Sequence, residues 1–78
     1  MPTVLRINGY RFFFYSNEHL PVHVHIEKAN MTAKFNLEPV TLVISRRFKA
    51  SKIAEIRNLV NENAEFLIQK WHEYFNNK

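Results

Sequence analysis

Apolar and polar residues alternate along the first half of the chain, which is the pattern of β-strands that bury one face. In the stretch TVLRINGYRFFFYS, the dipeptide Asn8-Gly9 separates two apolar-rich runs. This dipeptide is typical of the two-residue turn of a β-hairpin, where both central residues adopt positive φ. The turn sets the register, with the predicted pairs Ile7–Tyr10, Arg6–Arg11, Leu5–Phe12, Val4–Phe13 and Thr3–Phe14.

Two further stretches alternate in the same way, VHVHIEK and TAKFNLEP. The run VTLVIS is rich in β-branched residues and is either another strand or an extended connector. In VHVHIEK, one face is apolar and the other carries the polar residues. The apolar face consists of Val22, Val24 and Ile26, and the polar face, which we expect to point away from the helix, consists of His23, His25 and Glu27.

From Ser51 onward, apolar residues recur at intervals of three and four, which indicates an amphipathic helix. The stripe consists of Ile53, Ile56, Val60, Ala64, Leu67, Trp71 and Tyr74. Since neither Gly nor Pro interrupts it, we expect one helix over residues 51–75 with Ser51 as its N-cap. The predicted fold class is α+β: an antiparallel sheet of about four strands, the N-terminal β-hairpin first, with one long C-terminal helix packed on one face.

A chain of 78 residues is one domain, residues 1–78, of which we expect residues 1–48 to be mostly β. A core of this size supplies only about 3–5 kcal/mol of net stability. The chain has no cysteine, so disulfides cannot add to it, and we expect a homo-oligomer. Leu59 and Phe66 lie just outside the apolar stripe, either under a twisted sheet or as a partner-binding surface.

The net charge and its distribution indicate which classes of molecule the protein can bind. The net charge is +4, and a basic cluster lies around the start of the predicted helix, formed by Arg46, Arg47, Lys49, Lys52 and Arg57. Such a cluster binds nucleic acid or an acidic protein, or it is a solvated surface. No apolar stretch approaches the roughly 20 residues that cross a bilayer, and the first residues do not resemble a signal peptide. We expect a cytoplasmic protein without a membrane partner.

The stretch HLPVHVHIE holds the candidate chemistry, because His23 and His25 project from the same face of one strand. Zinc-like ions take three or four nitrogen or oxygen ligands. The histidine pair supplies two, and the third could come from Glu27, His19 or Glu18. Since this is an incomplete motif, we assign no metal and no cofactor.

The same pair can also exchange protons with a phosphodiester. Arg6 lies opposite Arg11 on the hairpin, and a phosphate between them would relieve their repulsion. This predicts a catalytic site of His23, His25, Arg6 and Arg11, provided that the polar faces of the hairpin and the histidine strand adjoin. The remaining interpretation is that both histidines do no chemistry. A triad of alternating histidines is excluded, because position 21 is Pro21.

Four segments resemble a known family: MPTVLRINGYRFFFYSNEH, HVHIEK, AKFNLEPV and the pattern EIRNLV-EN-EFL-WHEYF. On these segments, which span nearly the whole chain, the protein resembles the small prokaryotic family called domain of unknown function 4160. Val22 departs from the family's usual proline and Arg47 from a common glycine, while the histidine pair is intact. The matching polar positions are Arg6, Arg11, Ser16, Asn17, Glu18, His19, His23 and His25.

The resemblance implies a genetic setting. Members of the family often look like partners of a second small protein encoded beside them, as in a toxin–antitoxin pair. We therefore expect a module of such a pair that cleaves or binds RNA with its histidine pair and arginines, and whose partner is the cognate small protein encoded by the adjacent gene. The alternative is a non-catalytic module that binds a protein through its helix flank and basic cluster.

Overall fold

The computed structural model describes residues 3–76, so the ends of the predicted domain, residues 1–2 and 77–78, lie outside the described residues. The chain forms five strands, two helices and a π-helical turn over His72–Asn76. The strands are β1 Thr3–Ile7, β2 Tyr10–Phe13, β3 His23–Lys28, β4 Met31–Leu37 and β5 Val40–Arg46, and the helices are α1 Ala50–Glu62 and α2 Ala64–Trp71. The α+β class is confirmed, but the predictions of four strands and one helix are wrong.

The strands form one antiparallel sheet in the order β1-β2-β3-β4-β5. The hairpin turn is as predicted, with φ of 53° at Asn8 and 84° at Gly9. Three predicted pairs are confirmed next to the turn, Ile7–Tyr10, Arg6–Arg11 and Leu5–Phe12. Beyond them the register shifts between Thr3 and Leu5, so that Thr3 lies opposite Phe13 and the other two predicted pairs are wrong.

The apolar face of the sheet packs against the helices. Val22, Val24 and Ile26 are buried on this face, as the alternation predicts. The helices contribute every third or fourth residue to the same core. The buried cluster also contains Tyr10, Phe12, Phe14, Ala33, Phe35, Leu37, Ile56, Val60, Leu67 and Trp71.

The predicted single helix over residues 51–75 is interrupted at Asn63. Its φ of −113° and ψ of 13° lie outside the helical range, and its side-chain amide donates to the carbonyl of Leu59 at 2.8 Å. Asparagine side chains compete in this way for backbone partners, which favours a break. The helix also begins at Ala50 rather than after Ser51, and Lys49 provides no side-chain cap. Neither described helix is long and apolar enough to cross a membrane.

The opposite side of the sheet, which we call the open face, carries the polar residues that alternate with the core. Cross-strand neighbours share a face, so the register defines rows of side chains. The arginine row consists of Arg6, Arg11, Glu27, Thr32 and Arg46. The neighbouring histidine row consists of Phe13, His25, Lys34 and Ile44.

Candidate functional site

The loop between β2 and β3 brings Glu18 back over the start of β3. One carboxylate oxygen of Glu18 lies 2.7 Å from Nε2 of His23, and the other lies 2.8 Å from Nε2 of His25. The backbone N–H of Tyr15 donates to the second oxygen at 2.9 Å. These contacts create the Glu18–His23–His25 cluster, in which one carboxylate bridges both imidazoles of the predicted pair.

Aromatic rings enclose this cluster. The strand pairing between β2 and β3 ends at Phe13 and His25, and past that point Trp71 of α2 contacts His23 with 4.8 Å between ring centroids. Phe13 stacks on His25 at 5.5 Å. His23 shares a strand face with His25 but is only 3% exposed because Trp71 covers its ring, whereas His25 lies on the open face.

The hydrogen-bond partners fix the orientation of the His23 ring. Its Nδ1 lies 2.7 Å from the carbonyl oxygen of Pro21, and since a carbonyl can only accept, Nδ1 carries a hydrogen. Its Nε2 lies 2.7 Å from the Glu18 carboxylate on the other side of the ring. The imidazole is therefore held in one orientation by polar partners at both nitrogens.

Burial and charge oppose each other in this cluster. Burial alone would raise the pKa of Glu18, but the hydrogen bonds from Tyr15 and His23, with the charges of both histidines, lower it below its usual value. Burial lowers the pKa of His25, and the Glu18 carboxylate only partly offsets this, because His23 and Lys34 act in the same direction as burial. The site thus favours an ionised Glu18 beside a neutral His25.

The structure brings the predicted arginines beside the histidine pair without contact. The arginine row and the histidine row are adjacent, so the polar faces of the hairpin and the histidine strand do adjoin. The guanidinium of Arg11 donates to Glu27 and to Thr3 at 2.8 Å each, and it lies 4.3 Å from the Phe13 ring centroid. Arg11 is therefore already held by neighbours, while Arg6 is exposed.

The residues of the predicted basic cluster are all exposed, but they lie on different parts of the surface. Arg46 ends the arginine row on the open face. Arg57 lies on α1 with its guanidinium 5.6 Å from the ring of the core residue Phe35, on the helix side of the sheet. Lys52 lies 3.8 Å from Glu55, and Arg47 occupies the connection from β5 with a φ of 74°. The cluster is thus continuous in sequence but divided between two sides of the sheet.

The two residues of the predicted partner-binding surface, Leu59 and Phe66, differ in their exposure. Leu59 is partly buried and packs against the protein's own core. Phe66 is 39% exposed, and the ammonium of Lys70 lies 5.5 Å from its ring. Of these two residues, Phe66 alone presents a substantial apolar surface to a partner.

Glu18 is the member of the site that the sequence leaves undecided, because three residues could supply the third ligand. The structure separates them: Glu27 pairs with Arg11 at 2.8 Å, whereas His19 lines an open cleft of about 430 Å³. Glu18 and His72 also line this cleft. Alternation cannot reveal this, since it says nothing about the path of the loop.

The cluster has two chemical capacities. It can hold and exchange protons between imidazole and carboxylate, which is the basis of general acid–base chemistry. It can also bind a metal ion, because one donor atom from each residue lies within 4.8 Å of the others. Two histidines and a carboxylate are a common ligand set for zinc and iron.

The fold and the site define a small α+β protein with a buried imidazole–carboxylate cluster at one end of a polar sheet face. Over residues 9–72 the chain matches the model of the family described as Domain of unknown function (DUF4160), and it belongs to that family. All three residues of the cluster lie within the matched segment. Searches of curated proteins and of solved structures gave no match.

Proposed function

We propose that the protein is a cytoplasmic module of a toxin–antitoxin-like gene pair that cleaves RNA. In this proposal the open face binds the RNA backbone, and the Glu18–His23–His25 cluster is the reaction centre. The observation that carries the proposal is the adjacency of the arginine row to the histidine row. The second component of the pair is the cognate small protein encoded by the adjacent gene.

The charge of the open face supports a polyanionic ligand. Arg6, Arg11, Lys34 and Arg46 share this face with the carboxylate of Glu27. Clustered cations attract phosphates, and binding releases the counterions of the RNA. The affinity therefore depends on the salt concentration. RNA bases also stack on exposed aromatic rings. Tyr15 offers such a ring, since it is 46% exposed and its centroid lies 4.6 Å from that of His25.

The proposed reaction is a transesterification within the RNA, in which the 2′-hydroxyl of a ribose attacks the adjacent phosphodiester. The 2′-hydroxyl oxygen forms a bond to the adjacent phosphorus while the bond from phosphorus to the 5′-oxygen breaks. The hydroxyl loses its proton at the reaction centre, and the departing 5′-oxygen gains one. The products are a 2′,3′-cyclic phosphate and a 5′-hydroxyl, so the step needs no co-reactant. Proton transfer by positioned groups accelerates such reactions by about 10²–10⁴-fold.

Binding is tested with labelled single-stranded RNA and matched charge deletions. Arg46→Ala removes a cation from the open face, and Lys52→Ala removes one from α1. We expect Arg46→Ala to weaken RNA binding and to lower the slope of log K against log salt by about 1, with Lys52→Ala close to wild type. Equal effects of the two variants would contradict the assignment of the open face.

Cleavage is tested with His25→Ala and with an RNA that carries a 2′-deoxyribose at the cleaved position. We expect His25→Ala to bind RNA but to cleave it at least about 100-fold more slowly, and the deoxy substrate to stay intact. Expression in cells should arrest growth, and co-expression of the adjacent gene should relieve the arrest. If wild-type protein leaves every RNA intact, or if His25→Ala cleaves normally, the catalytic proposal is wrong.

A further inference from the structure

We propose that Glu18, His23 and His25 bind one divalent transition-metal ion of the zinc class. The donors are a carboxylate oxygen and the Nε2 atoms of two imidazoles, within 4.8 Å of one another. Three such protein ligands with a fourth position open to water or substrate are the usual arrangement of a catalytic zinc site. The inference concerns binding of the ion and stands whether or not the protein cleaves RNA.

The tautomer of His23 supports this assignment. Its Nδ1–H is directed at the Pro21 carbonyl at 2.7 Å, so Nε2 is the nitrogen left to act as a ligand. Histidines that bind metals almost always donate their other ring hydrogen to a carbonyl, a carboxylate or water, which orients the ring. Here the orienting carbonyl is only two residues away along the chain, in the segment that leads into β3.

The surroundings of the donors resemble the outer shell of a metal site. The backbone N–H of Tyr15 holds one oxygen of Glu18 at 2.9 Å. Trp71 packs against His23, and Phe13 packs against His25, which restricts rotation of both imidazoles. Fixing ligands in this way lowers the entropic cost of binding an ion.

Burial argues for a specific site rather than a chance surface cluster. The side chains of His23, Glu18 and His25 are 3%, 11% and 17% exposed. Removing ionisable groups from water is costly unless each is paired or bound to a metal. In the described structure the Glu18 carboxylate lies 2.7 and 2.8 Å from Nε2 of His23 and of His25. Zinc bonds of about 2.0–2.1 Å place tetrahedral ligands roughly 3.3 Å apart, so the carboxylate and imidazole atoms must separate slightly, while all three donors already lie within 4.8 Å of one another.

The composition of the site restricts the ion. Imidazole and carboxylate ligands suit zinc, iron and other first-row divalent ions, whereas magnesium and calcium prefer oxygen donors alone. The cleft lined by Glu18, His19 and His72 gives water or a substrate access to the carboxylate. When bound, the ion would supply Lewis-acid activation of water or of a phosphate oxygen.

Calorimetric titration of the full chain, without a polyhistidine tag, with Zn²⁺ tests the inference. We expect one ion per chain. Glu18→Gln and His25→Ala should each weaken binding by more than about 100-fold, since loss of an outer-shell partner alone costs 10–100-fold. The matched controls are His19→Ala and His72→Ala, which remove the two exposed histidines of the cleft and should bind like wild type. Circular dichroism confirms that each variant is folded.

A second measurement does not depend on the folding of the ligand variants. Co²⁺ added to the wild-type chain and to the double variant His19→Ala/His72→Ala should give the same visible absorption band of a four-coordinate site. Calcium and magnesium should produce no heat at matched concentration. The inference is overturned if wild type binds no zinc, if Glu18→Gln and His25→Ala bind it normally, or if binding is lost in the cleft controls.

The two proposals fail separately. Zinc binding is measured without RNA, so a chain that binds one ion at these ligands and leaves RNA intact contradicts only the proposed function. A chain that cleaves RNA without binding zinc contradicts only the metal site. Cleavage that stops when the metal is removed, and returns with Zn²⁺, supports both.

Discussion

Hydrogen bonds of single buried polar residues connect segments that are far apart in the sequence. Within the described residues, each fully buried side-chain nitrogen or oxygen has a hydrogen-bond partner. Tyr10 of β2 is 1% exposed, and its hydroxyl donates to Glu55 of α1 at 2.9 Å, which links residues 45 positions apart. An unpaired buried hydroxyl would cost about 1–3 kcal/mol. Tyr10 therefore helps to set where α1 lies on the sheet.

The Tyr10 hydroxyl gives a prediction for alkaline pH. Burial, and then the hydrogen bond and the charge of Glu55, raise its pKa to about 12. Since the folded state favours the neutral phenol, the stabilising contribution is complete below about pH 10, the ordinary value, and is lost as the pH rises towards 12. In a titration followed by tyrosinate absorbance, wild type and Tyr74→Phe should each show one component that ionises at higher pH than an ordinary tyrosine. Tyr10→Phe should lack this late component. A late component that persists in Tyr10→Phe would contradict this assignment.

At the level of elements, local chemistry fixes the hairpin and the helix break. The Asn8-Gly9 turn needs positive φ at both residues, which asparagine tolerates and glycine adopts freely. Asn63 ends α1 because its side chain takes the Leu59 carbonyl as a partner. The turn is readable from the sequence because its residues are specific to it. The break is not, because the helix propensity of asparagine is only modestly unfavourable and does not by itself predict a break.

The turn can be tested with Gly9→Ala. Gly9 has a φ of +84°, and an added Cβ would lie 3.2 Å from Cε of Lys28. We expect a loss of about 1–2 kcal/mol in the free energy of unfolding, mostly from the backbone conformation. Denaturant unfolding of the double variant Gly9→Ala/Lys28→Ala, compared with Lys28→Ala alone, should show most of this loss. If Lys28→Ala removes the cost, the crowding by Lys28 is its cause.

At the scale of the whole molecule, one small core carries the fold. A domain of this size retains about 3–5 kcal/mol of net stability, so partial loss of a core residue is a large fraction of the total. Leu59 packs against this core, whereas Phe66 remains on the surface. The predicted partner surface therefore reduces to the region around Phe66, where we propose that an oligomer or protein partner binds.

Leu59 and Phe66 should behave differently on substitution. Leu59→Ala should lower the free energy of unfolding by about 1–3 kcal/mol, because it removes packed methyl groups. Phe66→Ser should change stability by less than about 1 kcal/mol and should dissociate an oligomer, as measured by sedimentation velocity. If wild type and Phe66→Ser sediment alike as oligomers, this surface is not the interface.

The sequence by itself determined the fold class, the apolar face of β3 and the hairpin turn. Val22, Val24 and Ile26 are buried as their alternation predicts, and the Asn8-Gly9 turn has the expected dihedral angles. These features follow from neighbouring residues, since a period of two and a turn-specific dipeptide are local signals. For the same reason, the sequence shows that His23 and His25 lie two positions apart on one strand.

Only the tertiary structure decided what surrounds that pair. Glu18 reaches both histidines because an irregular loop folds back, and Trp71 covers His23 past the end of β2. Arg46 lies in the same row as Arg6, which runs across all five strands. Each contact depends on the path of the chain between distant residues, which periodicity does not encode. The site is therefore a product of long-range packing, although each of its side chains can be read in the sequence.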